Sequence, residues 1–477
     1  MCEVILKKGK EESLLRFHPW VFSGAIEKVV LAKDYPYPAP EEGSVVVVKS
    51  HEGEVLGYGH WQIGSIAVRM LEINMGMHLT SGAENEDYHS PKVVMNVSER
   101  SETFPTIERS KIDLRKLYLN RLEMAFKVRK AAGLLRQDNN TYRLVHGEGD
   151  FLPGLIVDIY GNTAVVQAHS VGMHKDRNII AELLPSIVPN VKNVYYKSET
   201  TLPFKAQIPE EEKKEQYLLY SEQSVPSQVA IENGLHFNID WIEGQKTGFF
   251  VDQRDNRALV ESYAKGRRVL NMCCYTGGFS VYAMRGGATL VHSVDVSAKA
   301  VKLAEENVRL NFPDCTNHQG FADDAFHFLD SLTDPNSGER LRTFNSGERL
   351  RTFGDVLHYQ NARRRSPLRT FESTYDLIIL DPPAFAKHRD AVRNALQGYK
   401  RLNAKAIEKI ASGGLLFTFS CSQAVDKEQF RLAVFSAAAM TGRKVRILHQ
   451  LHQPADHPVN IYHPEGEYLK GLVLQVE

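Results

Sequence analysis

From about residue 267 onward, short apolar runs alternate with amphipathic stretches, and this alternation limits the possible folds more than any other feature of the chain. Val269–Asn271, Val291–Asp295, Leu377–Leu380 and Leu415–Ser420 read as strands, and Gly278–Arg285, Ala298–Leu310 and Lys400–Ala411 as helices. Strands that are apolar on both faces and separated by helices pair in parallel, with helices covering both sides of the sheet. The expected class is therefore α/β, with a mostly parallel sheet covered on both faces. Ligands of such open sheets bind beyond the carboxyl ends of the strands. The residues just past each apolar run are thus the first candidates for chemistry.

The first run leads into Asn271-Met272-Cys273-Cys274-Tyr275-Thr276-Gly277-Gly278, a strand entering a glycine turn and then a helix. Gly277 and Gly278 let backbone approach a ligand where a side chain would collide. The spacing is not GxGxxG, so a pyrophosphate cradle is poorly supported. The second run ends on Asp295, an acid suited to the ribose of a nucleoside cofactor, although a tight turn plus a helix cap would also explain the pair. Asp323-Asp324 could accept from an adenine amino group or cap the next helix. More specific is Leu377-Ile378-Ile379-Leu380-Asp381-Pro382-Pro383-Ala384-Phe385, where two prolines stiffen the loop behind an acid, as a site gripping a flat ring requires. The last run ends on Ser420-Cys421-Ser422. A lone cysteine is usually a small buried hydrophobe. One just past a strand on the ligand-bearing edge is a candidate nucleophile, provided its surroundings activate it. Cys273 and Cys274 read as packing beneath the cofactor loop, and Cys2 and Cys315 have no supporting context.

Upstream, Val45–Lys49, Val55–Tyr58 and Ile66–Leu71 read as short strands of a compact β-barrel domain within 1–75. A polar linker or insertion spans 76–110. An α+β middle domain covers 111–235, opening with an amphipathic helix at Leu114–Leu135 whose apolar positions include Leu117, Leu119, Leu122, Met124, Ala125 and Val128. It continues with strands at Leu155–Tyr160 and Thr163–His169, a helix at about Lys175–Leu184, a strand at Val194–Lys197 and a charged loop at Glu210–Glu215. The α/β domain then covers 236–477. It is interrupted at about 333–371 by an insert in which Asn336–Phe344 is repeated directly as Asn345–Phe353. Its many arginines would suit an RNA-contacting arm, but a solvated loop explains them more simply.

The formal net charge is zero, so any nucleic-acid site has to come from local patches. Charged residues in Met1–Lys10 exclude an apolar signal segment, and no run approaches the roughly 20 apolar residues of a membrane span. Five cysteines, an odd number without zinc-ligand spacing, fit a reduced, cytoplasmic protein without a metal site.

Taken in order, these motifs resemble the bacterial 23S rRNA (cytosine-C5) methyltransferase I family. His18-Pro19-Trp20-Val21-Phe22-Ser23-Gly24-Ala25-Ile26 is similar to the start of that family's PUA domain. Gly149-Asp150-Phe151-Leu152-Pro153-Gly154-Leu155 resembles its central domain, and residues 244–257 (GQKTGFFVDQRDNR) its motif before the first Rossmann strand. Tyr275-Thr276-Gly277-Gly278-Phe279, Asp381-Pro382-Pro383 and Ser420-Cys421-Ser422 complete the set. The segments near 74–108 and 333–371 depart from the pattern, which leaves the chemistry intact and bears on substrate choice.

The resemblance implies a class I methyltransferase that uses S-adenosyl-L-methionine on 23S rRNA or a large-subunit precursor, without a membrane, and allows a homodimer. It assigns Cys421 as covalent nucleophile and Asp381 as the partner of cytosine N3. Phe250, Asp252, Gln253 and Arg254, with Asp381 and Pro382, would shape the cofactor and substrate edges. Asn271, Tyr275 and Gly277 would hold the methionine portion, Asp295 the ribose and Asp324 the adenine. Rival readings are methylation at another base position, a nicotinamide oxidoreductase, and an inactive RNA-binding ribosome assembly factor.

Overall fold

The computed structural model describes residues 1–74, 112–203, 206, 208–209, 216–221, 229–332, 374–386 and 388–477. The expected linker at 76–110, the charged loop at 210–215 and the duplicated insert at 333–371 lie outside the described residues. Two compact units result. One contains Met1–Gly234, Ile239–Val251 and Pro454–Gly466, the other Leu235–Asn238, Asp252–Gln453 and Glu467–Glu477.

In the first unit, a six-stranded sheet has the order Trp20–Phe22, Ile66–Ile73, Val55–Trp61, Val45–Lys49, Glu3–Leu6, Ile26–Val30. Alternation puts Val46 and Val48 inside, packed with Val4, Leu6, Leu56 and Val68. A second sheet has five strands in the order Gln216–Ser221, Asn193–Lys197, Thr163–Ala168, Leu155–Tyr160, Thr141–His146. The helix Leu114–Ala131 covers it, ending four residues before the expected Leu135 because Gly133 turns left-handed at φ 70°. Of its six apolar positions, Leu122 and Ala125 are buried and Leu117 and Leu119 pack on the core, while Met124 and Val128 are 58% and 38% exposed. The buried stripe is Tyr118, Leu122, Ala125 and Arg129, at helical spacing. The second expected helix is split into Val171–Lys175 and Arg177–Ile187.

Arg129 escapes an apolar reading because its guanidinium is fully paired. It meets both oxygens of Asp150 and donates to the carbonyls of Arg143 (2.7 Å) and Asp456 (2.8 Å). This accounts for the Gly149-Asp150 motif. Asp150 also accepts from the His146 amide (2.6 Å), and a Cβ on Gly149 would sit 1.9 Å from the Pro458 carbonyl oxygen. The Pro454–Gly466 segment is held further by His463, whose ring lies 4.3 Å from Trp20, and by Glu465, 3.7 Å from His18 Nε2.

The second unit is the α/β domain. Its strands are β1 (Arg268–Met272), β2 (Leu290–Asp295), β3 (His318–Ala322), β4 (Tyr375–Leu380), β5 (Ile410–Ser420), β6 (Val445–His452) and β7 (Lys470–Val476). They are ordered β3-β2-β1-β4-β5-β7-β6, parallel except where β7 runs against both β5 and β6. Its helices are α1 (Arg254–Ala264), α2 (Gly278–Arg285), α3 (Ala298–Asn311), α4 (Ala325–Ser331), α5 (Val392–Lys409) and α6 (Lys427–Thr441). Alternate strand residues enter opposite layers. Leu270, Met272, Ile378, Leu380 and Leu416 pack with Phe328, Tyr399, Leu402 and Phe430, while Val269, Leu377, Ile379, Leu415 and Phe417 pack with Val260, Phe279 and Ala283. Burial on both faces explains why these strands read as continuous apolar runs.

Candidate active site

The carboxyl ends of β1 to β5 share one edge, and each motif found in the sequence of this domain after its first strand lies there. At the end of β1 the chain makes a tight turn in which Cys273 (φ 56°), Tyr275 (φ 46°) and Gly277 (φ 76°) are all left-handed. Two non-glycine residues in that region store strain, which a folded protein retains only where surrounding bonds enforce it. Here Asp295 enforces it from β2. Its Oδ2 accepts from the Tyr275 amide and its Oδ1 from the Ser297 amide, each at 3.0 Å. A carboxylate has about four acceptor positions, so capacity for a diol remains.

Gly277 has no room for a side chain. A Cβ would fall 2.7 Å from Ala304 Cβ on α3, at a positive φ. Gly277→Val is therefore expected to destabilise this unit by about 2–4 kcal/mol from left-handed strain plus overpacking. The denaturant midpoint checks this, and a midpoint equal to wild type would contradict it.

Asn271 is fully buried at the end of β1. Its amide donates to Ser280 Oγ (2.9 Å), which meets Ser293 Oγ (2.7 Å), itself 2.8 Å from His318 Nε2. The Asn271 carbonyl oxygen is buried and has no hydrogen-bond partner among the described residues. Asp324, exposed after β3, caps α4 by accepting from the Phe326 and His327 amides at 2.9 and 3.2 Å, as the capping reading expected. Burial pushes the Cys273 thiol far up, and Asp295, Asp381 and Asp324 add to it in that order. Carboxylates from three strand ends therefore surround one turn, and Cys273 is held protonated. Burial does the same to Cys274.

The nucleophile candidate lies on the other half of the edge. β4 and β5 are parallel neighbours with Leu380 opposite Thr418, so Asp381 and Ser420-Cys421-Ser422 leave adjacent strands. Asp381 and Cys421 are half-buried, Pro382 is buried and Pro383 exposed. Both serines beside Cys421 are buried and engaged. Ser422 Oγ accepts from the Ala386 amide (3.2 Å) and meets the Tyr399 hydroxyl (3.0 Å), which also accepts from Ser420 Oγ (2.9 Å). Ser422 thus ties the loop after Asp381 to the loop carrying Cys421, and the Tyr399 ring of α5 lies 4.6 Å from that of Phe385 in the first loop.

Of the residues expected at the cofactor edge, Asp252, Gln253 and Arg254 are buried where α1 begins. Asp252 accepts from the Tyr468 hydroxyl (2.7 Å), Gln253 accepts from the Asn256 amide (2.6 Å), and Arg254 Nε lies 3.5 Å from Asp255. Phe250 belongs to the first unit, with the Lys246 ammonium 4.6 Å from its ring centroid. Sequence reasoning missed Tyr399, Tyr468 and the buried Lys470, which all act through long-range contacts. The available signal was a lysine opening a mostly apolar strand.

This edge, with its strained turn, anchoring acid and leftover acceptor, fits a nucleoside cofactor bearing an amino-acid tail. Comparison with known proteins agrees. Residues 217–334 match the S-adenosylmethionine-dependent methyltransferase family model, and residues 4–72 the PUA-like domain. A Streptococcus mutans structure named for SAM-dependent methyltransferase activity superposes over 100% of both chains, with TM-score 0.69 and 20% identity. A second structure, named a methyltransferase and complexed with SAH, does so with TM-score 0.69 and 21% identity. At such identities these two show the fold alone. The protein is thus of the S-adenosylmethionine-dependent methyltransferase class, with an N-terminal PUA-like domain.

The curated relatives narrow this class to one family. Ribosomal RNA large subunit methyltransferase I of Aeromonas hydrophila is 34% identical over 99% of both chains, and that of Tolumonas auensis 33% identical over 99% of this chain and 98% of its own. The chain belongs to the ribosomal RNA large subunit methyltransferase I family. Its cofactor is S-adenosyl-L-methionine. Among the described residues no helix is long and apolar enough to cross a membrane.

Proposed function

We propose that the chain methylates carbon 5 of a cytosine in large-subunit (23S) ribosomal RNA, with Cys421 as covalent nucleophile and Asp381 as the partner of N3. The relatives' names support the RNA class. The observation that carries the chemistry is the pairing of two loops, one offering a thiol and the other an acid, on adjacent parallel strands.

Carbon 5 of cytosine is too weak a nucleophile to take a methyl group unaided. The Cys421 thiolate adds to carbon 6, forming an S–C bond, while the electron pair of the carbon 5–carbon 6 double bond moves toward N3. Asp381 assists by donating a proton or hydrogen bond at N3. When bound, the cofactor supplies an electrophilic methyl on a sulfonium. Carbon 5, now enamine-like, forms the new C–C bond, and the electron pair of the broken C–S bond stays on sulfur. A base then removes the carbon-5 proton, the double bond re-forms, and the Cys421 thiolate leaves. The target base has to be unpaired or flipped out to meet both groups.

On the cofactor side, we assign Asn271 to the methionine portion through its leftover carbonyl oxygen, together with Tyr275 and Gly277 of the turn. Asp295 serves the ribose, and Asp324 the adenine amino group while capping α4. Asp252, Gln253, Arg254 and Pro382 border the cofactor and substrate, and the role of Phe250 rests on the resemblance alone. The PUA-like domain supplies RNA affinity that a chain of zero net charge otherwise lacks.

Bisulfite mapping of ribosomal RNA from a deletion strain and its complemented parent tests the reading. One large-subunit cytosine is expected to lose its methylation and regain it on complementation. Loss of a methyl group on another base, with every 5-methylcytosine kept, would overturn it.

A further inference from the structure

We infer that Lys470 is a positioning residue for the proposed nucleophile, a buried ammonium that ties down the loop after Cys421 and stabilises its thiolate. This rests on Cys421 being the nucleophile.

The geometry begins with strand pairing. β7 runs antiparallel to β5, with its first residue, Lys470, directly opposite Ser420, the last residue before Cys421. Lys470 is only 6% exposed. Its Nζ donates to the Ser422 carbonyl at 2.6 Å and to the Val425 carbonyl, while the Val425 amide donates back to the Ser422 carbonyl at 3.2 Å. One ammonium therefore closes both ends of the turn that follows the thiol. Together with Tyr399 on the two serines, it leaves the backbone around Cys421 little freedom.

Position alone does not explain why this clamp is a lysine. A neutral donor could satisfy carbonyl oxygens, whereas a buried ammonium carries a desolvation cost that nearby negative charge must offset. Burial pulls the Lys470 ammonium down to about 8, and Cys421, then Asp426, oppose that fall. Among the described residues, Lys427 and Glu467 are further charged neighbours, one of each sign. Asp426 and Glu467 are already used elsewhere: the first caps α6, and the second lies 2.7 Å from the Lys427 ammonium. Cys421 is the neighbour whose charge changes during the proposed reaction. Thiols beside a lysine ionise more readily because the cation favours the thiolate.

The test is alkylation of Cys421 in the full-length chain by iodoacetamide, read by peptide mass spectrometry from about pH 6 to pH 10. Lys470→Gln keeps a donor and removes the charge. It is expected to move the pH midpoint of alkylation up by about one unit, slowing the reaction about tenfold below the midpoint. Lys470→Arg keeps the charge and is expected to retain the wild-type midpoint. A Gln variant that melts like wild type with an unmoved midpoint, or an Arg variant shifted as far as Gln, overturns the assignment. Alkylation requires neither RNA nor turnover, so this outcome is separate from the nucleophile reading. Full turnover by Cys421→Ala would sink that reading whatever the midpoint does.

Discussion

Cys421→Ala is expected to abolish methyl transfer, by a factor on the order of 10⁴ or more, while leaving cofactor binding intact. The loss should be this large because the thiol is not one contributor among several. Without its addition at carbon 6, carbon 5 never becomes enamine-like, and no neighbouring group can replace it. Cys273 and Cys274 are held protonated by burial and by the Asp295 carboxylate. Ser420 and Ser422 are buried and hydrogen-bonded to Tyr399. Cys421→Ser should be nearly as inactive, since a hydroxyl of ordinary acidity offers almost no anion near neutral pH. Calorimetric titration with S-adenosylhomocysteine checks that the cofactor side is intact. Turnover by the alanine variant within tenfold of wild type would contradict the account.

Asp381→Asn should be the second most damaging change, costing about 10²–10⁴-fold in turnover, the usual range for a positioned acid. The amide can still donate a hydrogen bond but cannot transfer a proton to N3, so addition at carbon 6 slows without the thiol being touched. The expected signature is a variant whose Cys421 alkylates like wild type and whose covalent complex with RNA forms slowly. If Asp381→Asn instead left the rate of complex formation unchanged, the acid would have no role at N3. Pro382 and Pro383 hold that acid at the strand exit, and the Ala386 amide bonded to Ser422 Oγ fixes its loop against the one carrying Cys421.

The parts of this site that could be read from the chain were those carried by local chemistry. Strands buried on both faces make uninterrupted apolar runs, so Leu377–Leu380 and Leu415–Ser420 declared their own ends, and with them Asp381 and Cys421. Gly277 stood out because turns at strand ends need a residue free of Cβ. Illegible were the groups whose roles depend on remote pairing. Lys470 belongs to a strand that turns back against β5, and nothing in Lys470–Val476 alone says which neighbour it meets. Tyr399 reads as one more apolar helix residue until its hydroxyl is found between two serines. Helical periodicity marked Leu122 and Ala125 on Leu114–Ala131 but could not mark Arg129, which is buried by a carboxylate partner 21 residues further on that no apolar scale registers. Asp324 shows the opposite limit: a capping pattern and an adenine-binding pattern are the same residue in the same place, and the cap is the part that the fold requires.

The most direct test of the central claim is incubation of the protein with S-adenosyl-L-methionine and 5-fluorocytosine-containing large-subunit RNA. Fluorine at carbon 5 cannot be removed as a proton, so a covalent adduct that has accepted the methyl group has no exit. The account predicts a stable RNA–protein complex, with the modified nucleotide attached to the peptide containing Cys421 and no complex in Cys421→Ala. Full methylation of unsubstituted RNA with no adduct on any thiol would contradict it.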